Sequence, residues 1–385
     1  MHSSLTLLIV VVSTAVVFDY TNGFHDTANA MATTIATRAL PPRIAVGLAS
    51  ILNFAGAFVS VSVAATIASG IVEQKLVTVP IVFAGLIGAI LWNLATWYFS
   101  IPCSSSHALI GGVMGSMIAA VGSHGVIWSG ILAKVVVPAV LAPFVCGLAA
   151  YIATRLSFGL TDRVQAEHSS RGFRLGQIAS SSLVALAHGT NDAQKTMGVV
   201  VLTLVAGGRL GADAGIPLWV KAVCAAAIAA GTFSGGWRVI KTLGTRVTDI
   251  LPAQGFAAES ASSTTILASS YFGFSLSTTH VVSGGIMGSG LGRAGGVVHW
   301  NVVRSMVIAW LLTLPAAGLM GAAAHEGVQL FSSATAGVFV VGAVALALGG
   351  VLFWLATRDN VSSKNVIPPP EPQVRPIPVG AGASA

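Results

Sequence analysis

Charge is what this chain has least of: of 385 residues only 8% are Asp, Glu, Lys or Arg, against 54% hydrophobic. A soluble domain covers itself with about 25% charged residues, so a globular protein surrounded by water is excluded. Cysteine is almost as scarce. Cys103, Cys146 and Cys224 stand far apart in apolar stretches, with neither a disulfide framework nor the spacing of a metal or redox site, and read as small core residues. Lys and Arg are missing ahead of the first apolar run, Leu5–Phe18, which also lacks a clear cleavage motif. That run therefore reads as part of a retained first helix and not as a signal peptide.

What the chain has is apolar length. Spans at roughly 5–37, 44–70, 80–100, 104–121, 128–153, 177–206, 217–236, 256–273, 278–292, 299–323 and 335–356 follow one another almost without pause, with boundaries uncertain by several residues. The expected fold is an all-α polytopic membrane protein of about 10–12 transmembrane helices. The 44 glycines suit helices that pack closely or break.

The net charge of +7 is carried by loops on one side of the membrane. Arg38 and Arg43, Arg155, Arg163, Arg171 and Arg174, Arg238, Lys241 and Arg246, Arg293, and Arg358, Lys364 and Arg375 share that side; Lys75 and Arg209 hold the other. The positive-inside rule puts the rich side in the cytoplasm, with the N-terminus out and the C-terminus in. The basic surplus thus orients the protein in a lipid bilayer and does not point to nucleic acid. A polar, basic stretch at 154–176 divides the chain into a first half, 1–153, and a second half, 177–356; residues 357–385 read as a disordered Pro-rich tail.

The halves repeat each other. Gly23-Phe-His-Asp-Thr-Ala-Asn-Ala-Met31 matches Gly189-Thr-Asn-Asp-Ala-Gln-Lys-Thr-Met197, pairing Asp26 with Asp192. Pro102-Cys-Ser-Ser-Ser-His-Ala-Leu-Ile-Gly-Gly-Val-Met-Gly115 matches Ser275-Leu-Ser-Thr-Thr-His-Val-Val-Ser-Gly-Gly-Ile-Met-Gly288. The offsets are 166 (26 to 192) and 173 (107 to 280), consistent with one duplicated unit. The span count turns the second unit upside down relative to the first, the inverted-repeat plan of many secondary transporters.

Of the acids, only Asp19, Asp26, Asp192 and Glu259 fall within spans. A carboxylate at membrane depth is costly and is a functional candidate by default. The polar runs around Asp26 and at 188–195 interrupt apolar helices, so both motifs are expected to break their helices and expose carbonyl oxygens suited to Na⁺ or a proton relay. Ser104, Ser105 and Ser106, like Ser277, Thr278 and Thr279, each precede a Gly-rich apolar run, as half-helix N-termini do. Two such starts can converge on one oxyanion. His107 and His280 follow them immediately, suited to bond phosphate, carry a proton or cap backbone. An intramembrane hydrolase would need one unique nucleophile–base pair, whereas these elements come as a matched pair. No catalytic residues are assigned, and a transporter is expected in place of an enzyme or a passive channel.

Together, Gly23-Phe-His-Asp-Thr-Ala-Asn-Ala, His188-Gly-Thr-Asn-Asp-Ala-Gln-Lys and Leu276-Ser-Thr-Thr-His resemble the signatures of the PiT inorganic phosphate transporters, in family order and over about residues 18–356. The resemblance implies phosphate uptake coupled to Na⁺ or H⁺ across the plasma membrane. The chain departs from the sodium-coupled pattern Gly-Ala-Asn-Asp-Val-Ala-Asn-Ala in that His25 replaces the first Asn, and Gln194-Lys195 replaces Ala-Asn in the second half. In this it is similar to the bacterial low-affinity, proton-coupled branch, which is thought to carry metal–phosphate. The resemblance implies phosphate ligands among the six hydroxyl residues with Asn29, Gln194 and Lys195. Coupling falls to Asp26, Asp192, His25, Asn191, Glu259, His107 and His280, with Lys195 placing an ammonium where sodium would otherwise sit. No resident metal or cofactor is expected; a related oxyanion such as sulfate and a possible homodimer are alternatives in substrate and assembly.

Overall fold

The computed structural model describes residues 4–161, 166–358 and 361–367, and it is helical; among them the β-structure amounts to two isolated bridges. The first half contains α1 (Leu5–Ala36), α2 (Pro42–Gly56), α3 (Ser62–Ser69), α4 (Val79–Tyr98) and α5 (Ser105–Val121). It closes with α6 (Trp128–Ile131), which runs through a π-helical stretch, Leu132–Val136, into α7 (Val137–Thr161). The second half contains α8 (Ala166–Ala206), α9 (Leu218–Ser234), α10 (Trp237–Thr245), α11 (Pro252–Tyr271), α12 (Thr278–Gly292), α13 (Trp300–Gln329) and α14 (Ala334–Arg358). Among the described residues five helical stretches are long and apolar enough to cross a membrane, and six if α9 and α10, bent by 68° at their junction, count as one.

The helices pair as a duplicated unit would. α1 packs on α9 and α8 on α2; α5 packs on α4 and α13, and α12 on α11 and α7. Details too small to be designed twice recur as well. The bridge Val72–Val126 returns as Thr248–Val298, and the left-handed residue Ser100 before α5 returns as Gly273 before α12. The N-caps are also shared: the Ser104 hydroxyl accepts from the His107 amide at 3.1 Å, and Ser277 from the His280 amide at 3.3 Å. Each cap satisfies one of the four free amides of a helix start.

Two expectations from the sequence fail here. The 44–70 span is not one helix but α2 and α3, separated by residues 57–61, and its counterpart in the second half is the bent pair α9 and α10. More important, neither acidic motif breaks its helix. α1 runs unbroken for 32 residues and α8 for 41, so no unwound carbonyls are offered around Asp26 or Asp192. The polar side chains find partners on neighbouring helices, which leaves the backbone free to keep its own ladder. The basic stretch 154–176 is mostly helical, lying within α7 and α8 except for 162–165, which with residues 359–360 and 368–385 of the tail lie outside the described residues.

What Gly23 and Gly189 supply is closeness. A Cβ at Gly23 would meet the Ile228 carbonyl of α9, and one at Gly189 the Asn53 backbone of α2. Small residues let membrane helices approach in this way. Gly189→Val is therefore expected to lower stability by about 1–3 kcal/mol through overpacking, measured as the shift in thermal unfolding of the purified protein in detergent. An exposed control, Gly159→Val, where a Cβ meets nothing within 4 Å, should leave it unchanged.

Candidate functional site

α1 and α8 bring their acids together. Nε2 of His188 lies 3.0 Å from Asp192 Oδ2 and 3.9 Å from Asp26 Oδ2, so one imidazole stands between the paired carboxylates. The ring's other nitrogen, Nδ1, faces Asn53 Oδ1 at 3.0 Å, and the Asn53 amide donates to Thr232 at 2.8 Å. One His188 nitrogen thus faces an amide oxygen and the other the two carboxylates. The Asp26 oxygen, His188 nitrogen and Asp192 oxygen lie within 4.8 Å of one another, close enough for one cation to touch all three. All three side chains are buried.

The hydroxyl helix starts cross over to the opposite repeat. Asn29 of α1 donates to Thr278 at 3.3 Å and to Thr279 at 2.9 Å, both on α12. Thr278 in turn donates to Asp192 Oδ2 at 3.0 Å, and Thr279 reaches Cys103 O at 3.0 Å and Asp26 Oδ1 at 3.5 Å. From the other half, the Lys195 ammonium donates to Ser106 Oγ of α5 at 2.5 Å, to the Leu276 carbonyl at 2.7 Å, and to Asp192 Oδ1. Asn29 and Lys195 are repeat mates, 166 residues apart, and each crosses to the other half's helix start. Lys195 is one of the largest fully buried side chains in the described residues. A buried ammonium is tolerated only with partners that offset its desolvation, and here three oxygens do so. The same three oxygens are the hard ligands a small alkali cation would take.

His25 sits where the first repeat differs from the second. Its Nδ1 is 2.8 Å from Asp26 Oδ1, and its Nε2 lies 3.5 Å from Thr96 and 4.0 Å from the Cys103 thiol. Its repeat mate Asn191 instead donates to Ser270 of α11 at 2.9 Å. The Ser105 hydroxyl is buried without a partner among the described residues, at the first turn of α5 and next to the residue that holds Lys195.

Other residues chosen from the sequence lie apart from this cluster. Gln194 is engaged elsewhere: its Oε1 accepts from the amides of Val63, at 2.8 Å, and Ala64, at 3.3 Å, capping α3, while its Nε2 donates to the Thr190 carbonyl. Glu259, on α11, meets α1 at Thr33 and Thr34, seven residues or about 10 Å along the helix from Asp26. It accepts from Thr33, from Thr34 and Ser180 at 2.7 Å, and from Gln177 at 3.1 Å. His107 and His280 meet edge to face with ring centroids 4.8 Å apart. They line an otherwise apolar cavity of about 700 Å³ with Val136, Pro143, Phe144 and Trp310. His188 and Asn53, by contrast, belong to the site and were not chosen from the sequence. The signal for His188 was present, since it lies one helical turn before Asp192, on the same face.

Comparison with known proteins supplies what side-chain geometry does not. The model of the phosphate transporter family matches residues 22–321. A protein of Mycobacterium bovis named "Probable low-affinity inorganic phosphate transporter" is 54% identical over 359 residues, covering 93% of this chain and 86% of its own. Proteins with the same name from Mycobacterium leprae and Bacillus subtilis are 52% identical over 368 residues and 39% over 326, covering 95% and 83% of this chain and 88% and 97% of their own. A solved structure titled "The sodium-dependent phosphate transporter" superposes with a TM-score of 0.76 at 26% identity, covering 85% of this chain and 100% of that one.

Proposed function

The chain belongs to the phosphate transporter family, a multi-pass membrane family of transporters and not enzymes, and on that premise we propose that it imports inorganic phosphate by symport with protons. The carrying observation is Lys195. Its ammonium occupies the space between Asp192, Ser106 and the Leu276 carbonyl, which a coupling sodium would otherwise take, and it is tethered to α8 so that it cannot travel with the substrate. On the first half His25 does likewise at Asp26, supplying a nitrogen where the sodium-coupled pattern has an amide oxygen.

Phosphate is held, in this reading, between the N-termini of α5 and α12. Ser105, Ser106, Thr278 and Thr279 offer hydroxyls, the first turns offer free amides with the positive ends of two helix dipoles, and Asn29 and Lys195 add donors from α1 and α8. Hydroxyls and a single ammonium can release a dianion that a guanidinium clamp would retain. When phosphate arrives, Lys195 can exchange part of its bond to Asp192 for one to phosphate, freeing that carboxylate to take a proton from His188. Two inverted halves rocking about the α1–α8 contact would then open the site to each side of the plasma membrane in turn. Carriage of phosphate as a metal complex fits the same site, the metal entering as part of the cargo.

A second reading, sodium coupling, is favoured by the printed title of the solved relative. Vesicle uptake separates the two. Labelled phosphate should accumulate without Na⁺ and collapse on adding a protonophore, with arsenate competing and sulfate not; strict dependence on Na⁺ would establish the second reading instead.

A further inference from the structure

Three carboxylates are buried along the same face of α1, and they differ in how they are satisfied. Asp26 faces two imidazoles and Glu259 is met by four side chains, whereas Asp19, 0% exposed, has neither oxygen hydrogen-bonded among the described residues. Its surroundings are poor in donors. Asn22 on its own helix and Thr196 on α8 face it, and the Asn22 Oδ1 and Thr196 hydroxyl are themselves without partners. The titratable groups that face it from the helices packed against α1 are Asp192 and His188 on α8 and Cys224 on α9. None of the described ion pairs includes it.

Asp19, Asn22, Asp26, Asn29 and Thr33 follow one another at spacings of three and four, which lays them along one stripe of the helix. At about 1.5 Å per residue the stripe is roughly 21 Å long, with Asp19 at one end, the Asp26–His188–Asp192 cluster in the middle, and Glu259 at the far end. The position paired with Asp19 in the second repeat is Ala185, so this site occurs once. A carboxylate that merely ties helices together would be met by several donors, as Glu259 is, whereas only Asn22 and Thr196 stand beside Asp19.

An ionised carboxylate at this depth, with so few donors, is costly. A metal cation would relieve that only with several oxygens converging at fixed distances; the free oxygens beside Asp19 are two, the Asn22 Oδ1 and the Thr196 hydroxyl, and the carboxylate of Asp192 is already engaged by Lys195 and His188. A proton needs one oxygen. We propose that Asp19 is the group that binds the coupling proton during the transport cycle, passing it along the α1 stripe to the Asp26–His188–Asp192 cluster. The inference rests on the proton-symport reading above.

The test uses the full-length protein in proteoliposomes, with wild type, Asp19→Asn and Asp19→Glu side by side. In Asp19→Asn, phosphate accumulation driven by an inward proton gradient should fall by about tenfold or more, while phosphate–phosphate exchange at equal concentrations stays within about twofold of wild type. Asp19→Glu should restore gradient-driven accumulation. Thermal unfolding of Asp19→Asn should match wild type, since an amide of the same shape keeps an oxygen toward Asn22 and Thr196. If wild type itself does not respond to the proton gradient, proton symport fails. If wild type responds and Asp19→Asn accumulates equally well, or if folded Asp19→Asn loses exchange as well, the assignment of Asp19 is overturned and symport stands.

Discussion

Asp192→Ala is expected to bring phosphate uptake below detection and, separately, to destabilise the protein by about 3–5 kcal/mol, the range for removing one partner of a buried ion pair. The two effects have different causes. Loss of stability follows from leaving the Lys195 ammonium buried beside His188 with only Ser106 and the Leu276 carbonyl as partners. Loss of transport follows from removing the carboxylate to which Thr278, His188 and Lys195 all converge. A second substitution separates them. In Asp192→Ala with Lys195→Met the unpaired charge is gone, so most of the stability should return, as measured by thermal unfolding in detergent. Uptake should remain absent. If the double variant transports, Asp192 serves only to neutralise Lys195 and has no part in the cycle.

Lys195→Asn should change which ion drives the protein. Asn is the residue at the repeat-mate position, 29, so the substitution makes the halves alike at the one place where an ammonium breaks their correspondence. It leaves Asp192, Ser106 and the Leu276 carbonyl facing a space vacated by a cation, with an amide oxygen added. Such a set suits Na⁺. Phosphate uptake in sodium-free medium is expected to drop by about tenfold or more, and added Na⁺ to recover part of it. Wild type should show no such response. A variant that is inactive at every Na⁺ concentration but folded would mean that uptake needs the ammonium for phosphate itself and that it does not stand in for a coupling ion. The outcome is read by varying Na⁺ and pH independently.

Much of this site was legible in the sequence because the repeat points at it twice. The pairing of Asp26 with Asp192, and of one hydroxyl helix start with the other, needed no coordinates, and the N-caps at Ser104 and Ser277 are where composition put them. What the sequence misled on was the helices that carry the acids. A run such as Asp19-Tyr-Thr-Asn-Gly-Phe-His-Asp looks like a break, because polar residues at membrane depth usually mark irregular backbone. It continues as helix because its partners stand on other helices. Ser234 of α9 meets Tyr20, Thr96 of α4 faces His25, and Thr279 of α12 and His188 of α8 reach Asp26, and no local pattern announces such long-range partners. Gln194 misled for the converse reason: its position in the motif suggested the substrate, while the first turn of α3, which it caps, was hidden inside an apparently continuous span. The bend between α9 and α10, at Gly235 with its positive φ of 72°, was equally hidden, since apolar length alone does not report direction.

The central claim is that protons, and not sodium ions, cross with phosphate. Proteoliposomes holding the purified chain and a trapped pH-sensitive dye, in sodium-free buffer with the membrane potential clamped, test it most directly. Addition of phosphate outside should acidify the lumen in step with phosphate entry, and an inward proton gradient should drive phosphate above equilibrium. Phosphate entry without acidification, or entry that begins only when Na⁺ is supplied, would contradict it.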